Sequence, residues 1–160
     1  MTMLPSSSAV RDVYLDRASG VIAGVAAAIK QSPGSKLLME CGTIESATIL
    51  EVAKATAELS QELQNGSEVD FVDAPVSGGP MGAQAGSLAF MVGTDRPEAV
   101  FRRVKNVLVH MGNPDSIFLC GGVSSGVGFK IISTYHTNTS KRGADQNRQL
   151  SLCHHKSGSV

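Results

Sequence analysis

The stretch FVDAPVSGGPMGAQAGSLAFMVG, residues 71–93, predicts a strand, a glycine-rich turn, a short helical or loop segment, and a second strand. Residues 69–73 are mostly β-formers and end in an acid, and Pro75 lacks the N–H group that the interior of a sheet requires. The apolar run 88–92 has the length of a buried strand and is closed by Gly93.

The turn within this stretch, Ser77-Gly78-Gly79, supports two interpretations. It can be a plain β-turn between two core strands, for which serine and glycine are common residues. It can also be a cradle for a carboxylate or a phosphate, because adjacent glycines let the backbone approach a ligand and turn N–H groups toward an anion. The Ser77 hydroxyl would add a group that both donates and accepts hydrogen bonds.

Composition narrows the class of protein. A chain of 160 residues, with 42% hydrophobic and 18% charged residues, is expected to form one globular domain with a real core. The net charge of +0 offers no basic surface, so we expect neither a nucleic-acid nor a membrane partner. Cys41, Cys120 and Cys153 are few and widely spaced, and no secretion signal opens the sequence, which favours an intracellular, reducing compartment, either cytoplasm or mitochondrion.

Strand and helix patterns alternate along the rest of the chain. We predict helices at 10–28 (broken at Ser19-Gly20), 43–63 and 95–109, strands at 36–40 and 116–120, and a turn at 111–115. Either Thr43 or Ser46 can cap the second of these helices. Alternating strands and helices predict an α/β fold with a parallel sheet covered by helices.

The sequence DAPVSGG at 73–79, followed by GA-x-x-G-x-L-x-F-M-V-G, resembles the substrate-binding signature of the β-hydroxyacid dehydrogenases. That family includes 3-hydroxyisobutyrate dehydrogenase and is related to 6-phosphogluconate dehydrogenase. The resemblance implies NAD or NADP as the cofactor and interconversion of a 3-hydroxy acid with its semialdehyde. It also implies that Ser77, Gly78 and Gly79 hold the carboxylate of this small hydroxy acid.

Two further segments resemble the cofactor side of the family. The segment TMLP at 2–5 is similar to the loop after the fourth strand of the family's Rossmann domain, which implies that Leu4 and Pro5 flank the dinucleotide. The segment ECGTI at 40–44 is similar to the family's D-x-S-T-I, which implies that Thr43 lies near the nicotinamide. The family's asparagine shortly after the proline is replaced here by Ala9.

The segment GGVSSGVGFKII, residues 121–132, resembles the family's turn and helix with the pattern G-x-G-x-x-x-K-x-x-x-N. The resemblance implies that Lys130 is the catalytic acid or base, a role that requires a proton donor within reach of the reacting oxygen. Without the resemblance, a lone lysine would be interpreted as a solvated surface charge. Ser124 and Thr134 depart from the pattern, at its first glycine and its asparagine.

The resemblance covers residues 1–132 and is partial. No G-x-G-x-x-G turn for a pyrophosphate occurs in the sequence. We therefore predict the second half of a Rossmann-like sheet with flanking helices, lacking the first βαβ unit and the all-helical C-terminal domain. Residues 133–160 are polar and are predicted to be a disordered tail unrelated to the family. We assign no metal site, because Cys153-His154-His155 with His136 matches no tetrahedral zinc pattern.

Three functions stay open at this point. The first is an NAD(P)-dependent oxidoreductase of the 3-hydroxyisobutyrate type. The second is a catalytically inactive fragment, whose exposed sheet edge would allow self-association. The third is a module that binds a small carboxylate without a cofactor.

Overall fold

The computed structural model describes residues 1–63 and 66–139, which contain six helices and five strands. The elements in chain order are α1 (Ser7–Leu15), α2 (Val21–Gln31), β1 (Lys36–Glu40), α3 (Ser46–Glu62), β2 (Val69–Asp73), β3 (Val76–Ser77), α4 (Gly79–Gln84), β4 (Leu88–Gly93), α5 (Pro97–Leu108), β5 (Gly112–Gly121) and α6 (Ser125–Thr139). The predicted α/β fold class is confirmed.

The first helical region is divided where the sequence predicts a break. The Ser6 hydroxyl accepts a hydrogen bond from the N–H of Ala9 at 3.2 Å and caps α1. The Asp16 carboxylate accepts hydrogen bonds from the N–H groups of Ala18 and Ser19, and this turn separates α1 from α2. The backbone thus turns before Gly20, at the predicted position.

Neither cap predicted for α3 forms. The helix begins at Ser46 with Glu45 as its N-cap, and no side chain caps it. Thr43 lies outside the helix because buried Ile44 keeps the chain in the core for one residue more. Gly66, in the turn after α3, has a left-handed φ of 71°, and Asn65 lies outside the described residues.

The middle of the sheet is one long strand path with a break at residues 74–75. Asp73 at the end of β2 pairs with Gly93, and in the same register Val76 and Ser77 of β3 pair with Phe90 and Ala89. The N–H of Met91 donates to the carbonyl of Pro75 at 3.1 Å, which continues the ladder across the break. β3 is therefore an extension of β2 along β4.

Strand directions correct the prediction of a parallel sheet in one place. β1–β2 and β4–β5 are parallel pairs, but β4 runs antiparallel to β2 and β3. The connection between β3 and β4 contains only the six-residue helix α4. A parallel crossover requires a dozen or more residues, so this connection reverses the chain.

β5 is longer than predicted, since it begins at Gly112 and includes the residues assigned to a turn. Its pairing with β4 jumps from Leu88–Gly112 to Phe90–Ile117, so the intervening residues bulge from the ladder. Asn113, Pro114 and Asp115 are exposed there, and a bulge accommodates a proline that a regular ladder excludes.

The sheet is covered on both faces. On one, here called the α6 face, Leu38 and Phe71 pack in a cluster that includes residues of α1, α3 and α6. On the opposite α5 face, Val72, Phe90 and Val92 pack against three residues of α5, Val100, Val104 and Leu108. Alternate strand residues point to opposite faces, so Glu40, Asp73 and Met91 belong to the α6 face.

Helix α6 extends into the first part of the segment 133–160 that the sequence predicts to be a tail. It continues to Thr139, and the hydroxyls of Ser133 and Thr134 each donate to the carbonyl of Lys130 at 2.9 Å. Such bonds to the preceding turn allow polar residues within a helix. The rest of the predicted tail, 140–160, lies outside the described residues, so the domain boundary there stays a prediction.

Candidate active site

The predicted carboxylate cradle lies where β3 passes into α4. Gly78 and Gly79 have φ angles of 136° and 59°, which side chains rarely adopt, and both residues are exposed. A Cβ at Gly78 would also come within 2.9 Å of the Leu88 side chain. Both glycines are therefore required by the backbone, and they leave main chain at the surface beside half-buried Ser77.

Ser77 belongs to the α6 face. It pairs with Ala89, and directly paired residues point to the same face of a sheet. Ala89 is two residues from Met91, which packs against Phe129 of α6. The neighbouring Val76 packs in the cluster beneath α5, as the alternation of strand residues requires.

The close contact of Gly126 with the sheet places Lys130 on the same face. A Cβ at Gly126 would come within 2.8 Å of the Asp73 carboxylate and would also clash with the Met91 carbonyl, so the helix contacts the sheet here. Residues four apart lie on one side of a helix, so Lys130 follows Gly126 one turn along that side. Lys130 is half-buried, and this burial lowers the pKa of its ammonium group.

The beginning of α6 is fixed by an acid that sequence reasoning left without a role. The Asp73 carboxylate, which is 0% exposed, accepts hydrogen bonds from the N–H groups of Ser124 at 2.7 Å and Val127 at 2.9 Å. Asp95 accepts another from the N–H of Val123 at 2.9 Å. Acids near a helix N-terminus satisfy its unpaired N–H groups and its dipole.

The environment of Asp73 has two opposite effects on the pKa of its carboxyl group. Burial raises the pKa of its carboxyl group to about 6, while the N–H groups of residues 124, 126 and 127 lower it. Ser124, which replaces a glycine of the family pattern, has a left-handed φ of 78°. The turn into α6 thus combines a buried charge with a backbone conformation that favours glycine.

The predicted cofactor residues are joined by a second buried acid, Glu40. Its Oε1 accepts hydrogen bonds from the N–H of Leu4 at 3.0 Å and of Gly42 at 2.7 Å, and its Oε2 accepts the Thr2 hydroxyl. Pro5 and Thr43, which follow these two tied positions, are exposed. The two segments implied to flank the dinucleotide therefore lie side by side.

The two acids connect the two halves of the candidate site. Glu40 and Asp73 are paired residues at the ends of β1 and β2. Glu40 accepts a hydrogen bond from the loop that contains Leu4, and Asp73 accepts hydrogen bonds at the start of the helix that contains Lys130. Ligands of open α/β sheets bind outside such strand ends. In the sequence, each acid is visible only as a carboxylate that closes an apolar strand pattern.

Two surface cavities lie elsewhere. One of about 120 Å³ is lined by residues that include Asp70, Thr94 and Arg96, and one of about 270 Å³ lies between α2 and α3. Neither of these two cavities is lined by Ser77 or Lys130. Within the described residues, no helix is long and apolar enough to cross a membrane.

Comparison with known proteins gives a consistent result. Residues 1–122 match the family described as the NAD binding domain of 6-phosphogluconate dehydrogenase. The chain is 34% identical over 148 residues to a probable mitochondrial 3-hydroxyisobutyrate dehydrogenase of Arabidopsis thaliana, which covers 91% of this chain and 40% of the relative. It is 38% identical over 133 residues to the 3-hydroxyisobutyrate dehydrogenase of Pseudomonas aeruginosa, covering 83% of this chain and 38% of the relative.

A solved structure agrees with these relatives. The 3-hydroxyisobutyrate dehydrogenase of Mycobacterium tuberculosis, described with L-serine, superposes with a TM-score of 0.63 at 34% identity, covering 82% of this chain and 37% of that one. The chain thus spans about 40% of the length of such relatives. The predicted resemblance, and with it NAD or NADP as the cofactor class, is confirmed. The chain belongs to the family of the NAD-binding domain of 6-phosphogluconate dehydrogenase, and the three relatives described above are 3-hydroxyisobutyrate dehydrogenases or probable ones.

Proposed function

We propose that the chain functions in an NAD(P)-dependent oxidoreductase. The reaction interconverts a small 3-hydroxy acid of the 3-hydroxyisobutyrate type and its semialdehyde. The observation that carries the proposal is the placement of Ser77 and Lys130 on one face of the sheet, with Gly126 in contact with the strand between them. The names of the relatives support the substrate class.

In this proposal the cradle binds the substrate's carboxylate. The Ser77 hydroxyl and the backbone at Gly78 and Gly79 would donate hydrogen bonds to the two carboxylate oxygens. The two positive φ angles favour glycine at these positions. Because glycine has no side chain, a carboxylate could approach the main chain there closely. A substrate bound there would extend across the α6 face toward Lys130.

Lys130 would move the proton. In oxidation, the neutral amine accepts the proton of the substrate hydroxyl as the carbon–oxygen bond becomes a carbonyl, and the hydride leaves the same carbon. In reduction, the ammonium group returns that proton to the carbonyl oxygen. A bound nicotinamide dinucleotide supplies the hydride acceptor or donor. A lowered Lys130 pKa favours the neutral base.

The residues present fit the nicotinamide side of this cofactor. Leu4 and Gly42 are fixed by one carboxylate, and exposed Pro5 and Thr43 follow them at the strand ends where ligands bind. We propose these positions as the cofactor-flanking residues, in agreement with the resemblance.

The test is turnover by the purified chain with 3-hydroxyisobutyrate and NAD⁺ or NADP⁺. We expect Lys130→Ala to reduce the rate by about 100-fold or more, as is usual for loss of a general base. Lys54→Ala is the matched control, since Lys54 is an exposed lysine on α3, and it should leave the rate unchanged. Equal rates in wild type and Lys130→Ala would refute the role of Lys130.

A second candidate is favoured by one feature of the sequence, the absence of a G-x-G-x-x-G turn to hold the pyrophosphate. In this case the chain by itself is inactive, or binds a small carboxylate without a cofactor. Calorimetric titration with 3-hydroxyisobutyrate distinguishes the candidates. Binding that Ser77→Ala weakens, without turnover and without an effect of NADH, would establish the second candidate.

A further inference from the structure

We propose that Glu40 and Gly42 act as a coupled positioning pair that fixes the cofactor-side loop, residues 2–5, against the segment that carries Thr43. This inference rests on the proposed function and deepens it. Glu40 is 0% exposed, so it is not placed to touch a cofactor itself. It acts through the backbone that it holds.

The hydrogen bonds of Glu40 converge on that loop. Besides the N–H groups of Leu4 and Gly42, its carboxylate accepts the Thr2 hydroxyl, which in turn contacts the hydroxyl of buried Tyr14. A buried carboxylate is tolerated only when its lone pairs are satisfied. Loss of reach to one partner therefore costs more than a single surface hydrogen bond.

Gly42 supplies the space that the long Glu40 side chain needs. A Cβ at position 42 would come within 2.6 Å of the Leu4 carbonyl oxygen and 2.7 Å of Glu40 Oε1. Both atoms belong to the contact that joins the two segments. Any side chain at position 42 must therefore disturb both the loop backbone and the carboxylate.

This geometry predicts that changes at the two positions are coupled. Glu40→Asp shortens the acid by one methylene and withdraws the carboxylate from Leu4. Gly42→Ser introduces a side chain into the contact. Both changes disturb the same contact between Glu40, Gly42 and Leu4, so the second change should cost less once the first has been made. Changes at contacting residues are expected to be non-additive.

The experiment is a double-mutant cycle in the full chain with two readouts. The first is the amide hydrogen-exchange protection of Leu4, measured by NMR without any ligand. The second is the dissociation constant of NADH. We expect each single variant to lower the exchange protection of the Leu4 amide. Each should also weaken the binding of NADH by about tenfold, as for loss of a hydrogen bond to a charged group. The double variant should lose less in both readouts than the product of the two single losses.

Two controls separate positioning from general damage. Glu51→Asp shortens an exposed acid on α3 and should change neither readout. Binding of 3-hydroxyisobutyrate should be unchanged by Glu40→Asp, because the cradle at Ser77 lies on another segment. A purely structural defect would weaken the binding of NADH and of 3-hydroxyisobutyrate alike.

The outcomes separate this inference from the function beneath it. A double variant no better than the product of the two singles, or unchanged Leu4 protection in Glu40→Asp, would overturn the positioning pair. A wild-type chain that binds no NADH would refute the cofactor role, while the protection of Leu4 would still decide whether Glu40 fixes the loop.

Discussion

At the scale of single residues, the site depends on side chains whose surroundings change their chemistry. Lys130 is a surface residue by sequence alone, yet it lies half-buried on a helix that contacts the sheet. Burial disfavours an ammonium group, so the pKa of Lys130 falls below that of an ordinary lysine. A base that titrates lower is more useful near neutral pH.

The pH dependence of oxidation follows from this shift. Because Lys130 must be neutral to accept the hydroxyl proton, the rate of hydroxy acid oxidation should rise with pH. The midpoint should lie below the ordinary lysine pKa of about 10.4. The pH–rate profile of oxidation measures the midpoint. A profile that rises only at the ordinary value would contradict burial of this amine.

Thr48 provides a test of packing at the same scale. It is 0% exposed in α3, and its hydroxyl has no hydrogen-bond partner, whereas the hydroxyl of equally buried Thr56 donates to the Val52 carbonyl at 2.8 Å. Thr48→Val should raise the free energy of unfolding by about 1 kcal/mol, since it removes an unsatisfied polar group.

Thr56→Val is the matched control for this change, on the same helix and with the same side chains. It should lower the free energy of unfolding or leave it unchanged, because it removes a hydrogen bond that is satisfied. Denaturant unfolding of both variants gives the comparison. Equal effects at the two sites would mean that the Thr48 hydroxyl is satisfied in solution.

At the scale of the elements, the buried acids at the strand ends organise the site. Asp73 holds the first turn of α6, and Glu40 holds the loop at residues 2–5. Neither role could be predicted from the sequence, because an acid after an apolar run is also what a solvent-exposed strand end contains. Only the strand pairing shows that both carboxylates are covered.

The titration of Asp73 makes its role measurable. Burial raises the pKa of this carboxyl group to about 6, above the unfolded value of about 3.9. The folded state then binds the proton more tightly, so this contribution to stability is complete below about pH 4 and is lost as pH rises through 6. The loss is on the order of 3 kcal/mol.

Asp73→Asn isolates that contribution, since the amide does not titrate. The unfolding free energy of wild type minus that of the variant should fall between pH 4 and pH 7, as measured by denaturant unfolding at each pH. A difference that rises with pH would mean that the N–H groups of α6 stabilise the charged carboxylate more than burial destabilises it.

Much of the element order could be predicted from the sequence, for physical reasons. β1 has the predicted bounds and β4 extends one residue beyond the predicted run, because each is an apolar run between turn residues, and α5 follows its apolar spacing. The antiparallel direction of β4 and the bulge around Pro114 were missed. Hydrophobic alternation is the same for both strand directions, and a proline is compatible with a turn as well as with a bulge.

At the scale of the whole molecule, the described sheet ends in a short strand segment. Thr2 pairs with β1 through two backbone hydrogen bonds. The N–H of Thr2 donates to the Met39 carbonyl, and the N–H of Cys41 donates to the Thr2 carbonyl. Residues 1–63 and 66–139 include no strand on the far side of Thr2, where Met1 and Met3 are exposed. Open edges of this kind favour pairing with another chain.

The self-association predicted from this edge can be tested with one charge. Met3→Lys places a cation on the edge and should reduce concentration-dependent association in sedimentation velocity. Met81→Lys is the control, since Met81 is 84% exposed against 69% for Met3 but lies on α4. If both variants associate like wild type, or if neither they nor wild type associate, the edge does not act in this way.

We propose that two neighbouring strand ends, closed by Glu40 and Asp73, build the cofactor side and the proton-transfer side of one dehydrogenase site. Titration of the purified chain with NADH and NADPH tests it most directly. We predict saturable binding of at least one of them, weakened by Glu40→Asp and followed by Lys130-dependent turnover of 3-hydroxyisobutyrate. Absence of binding, in a chain whose circular dichroism shows the α/β fold, would mean that the fold of this family is present without its cofactor function.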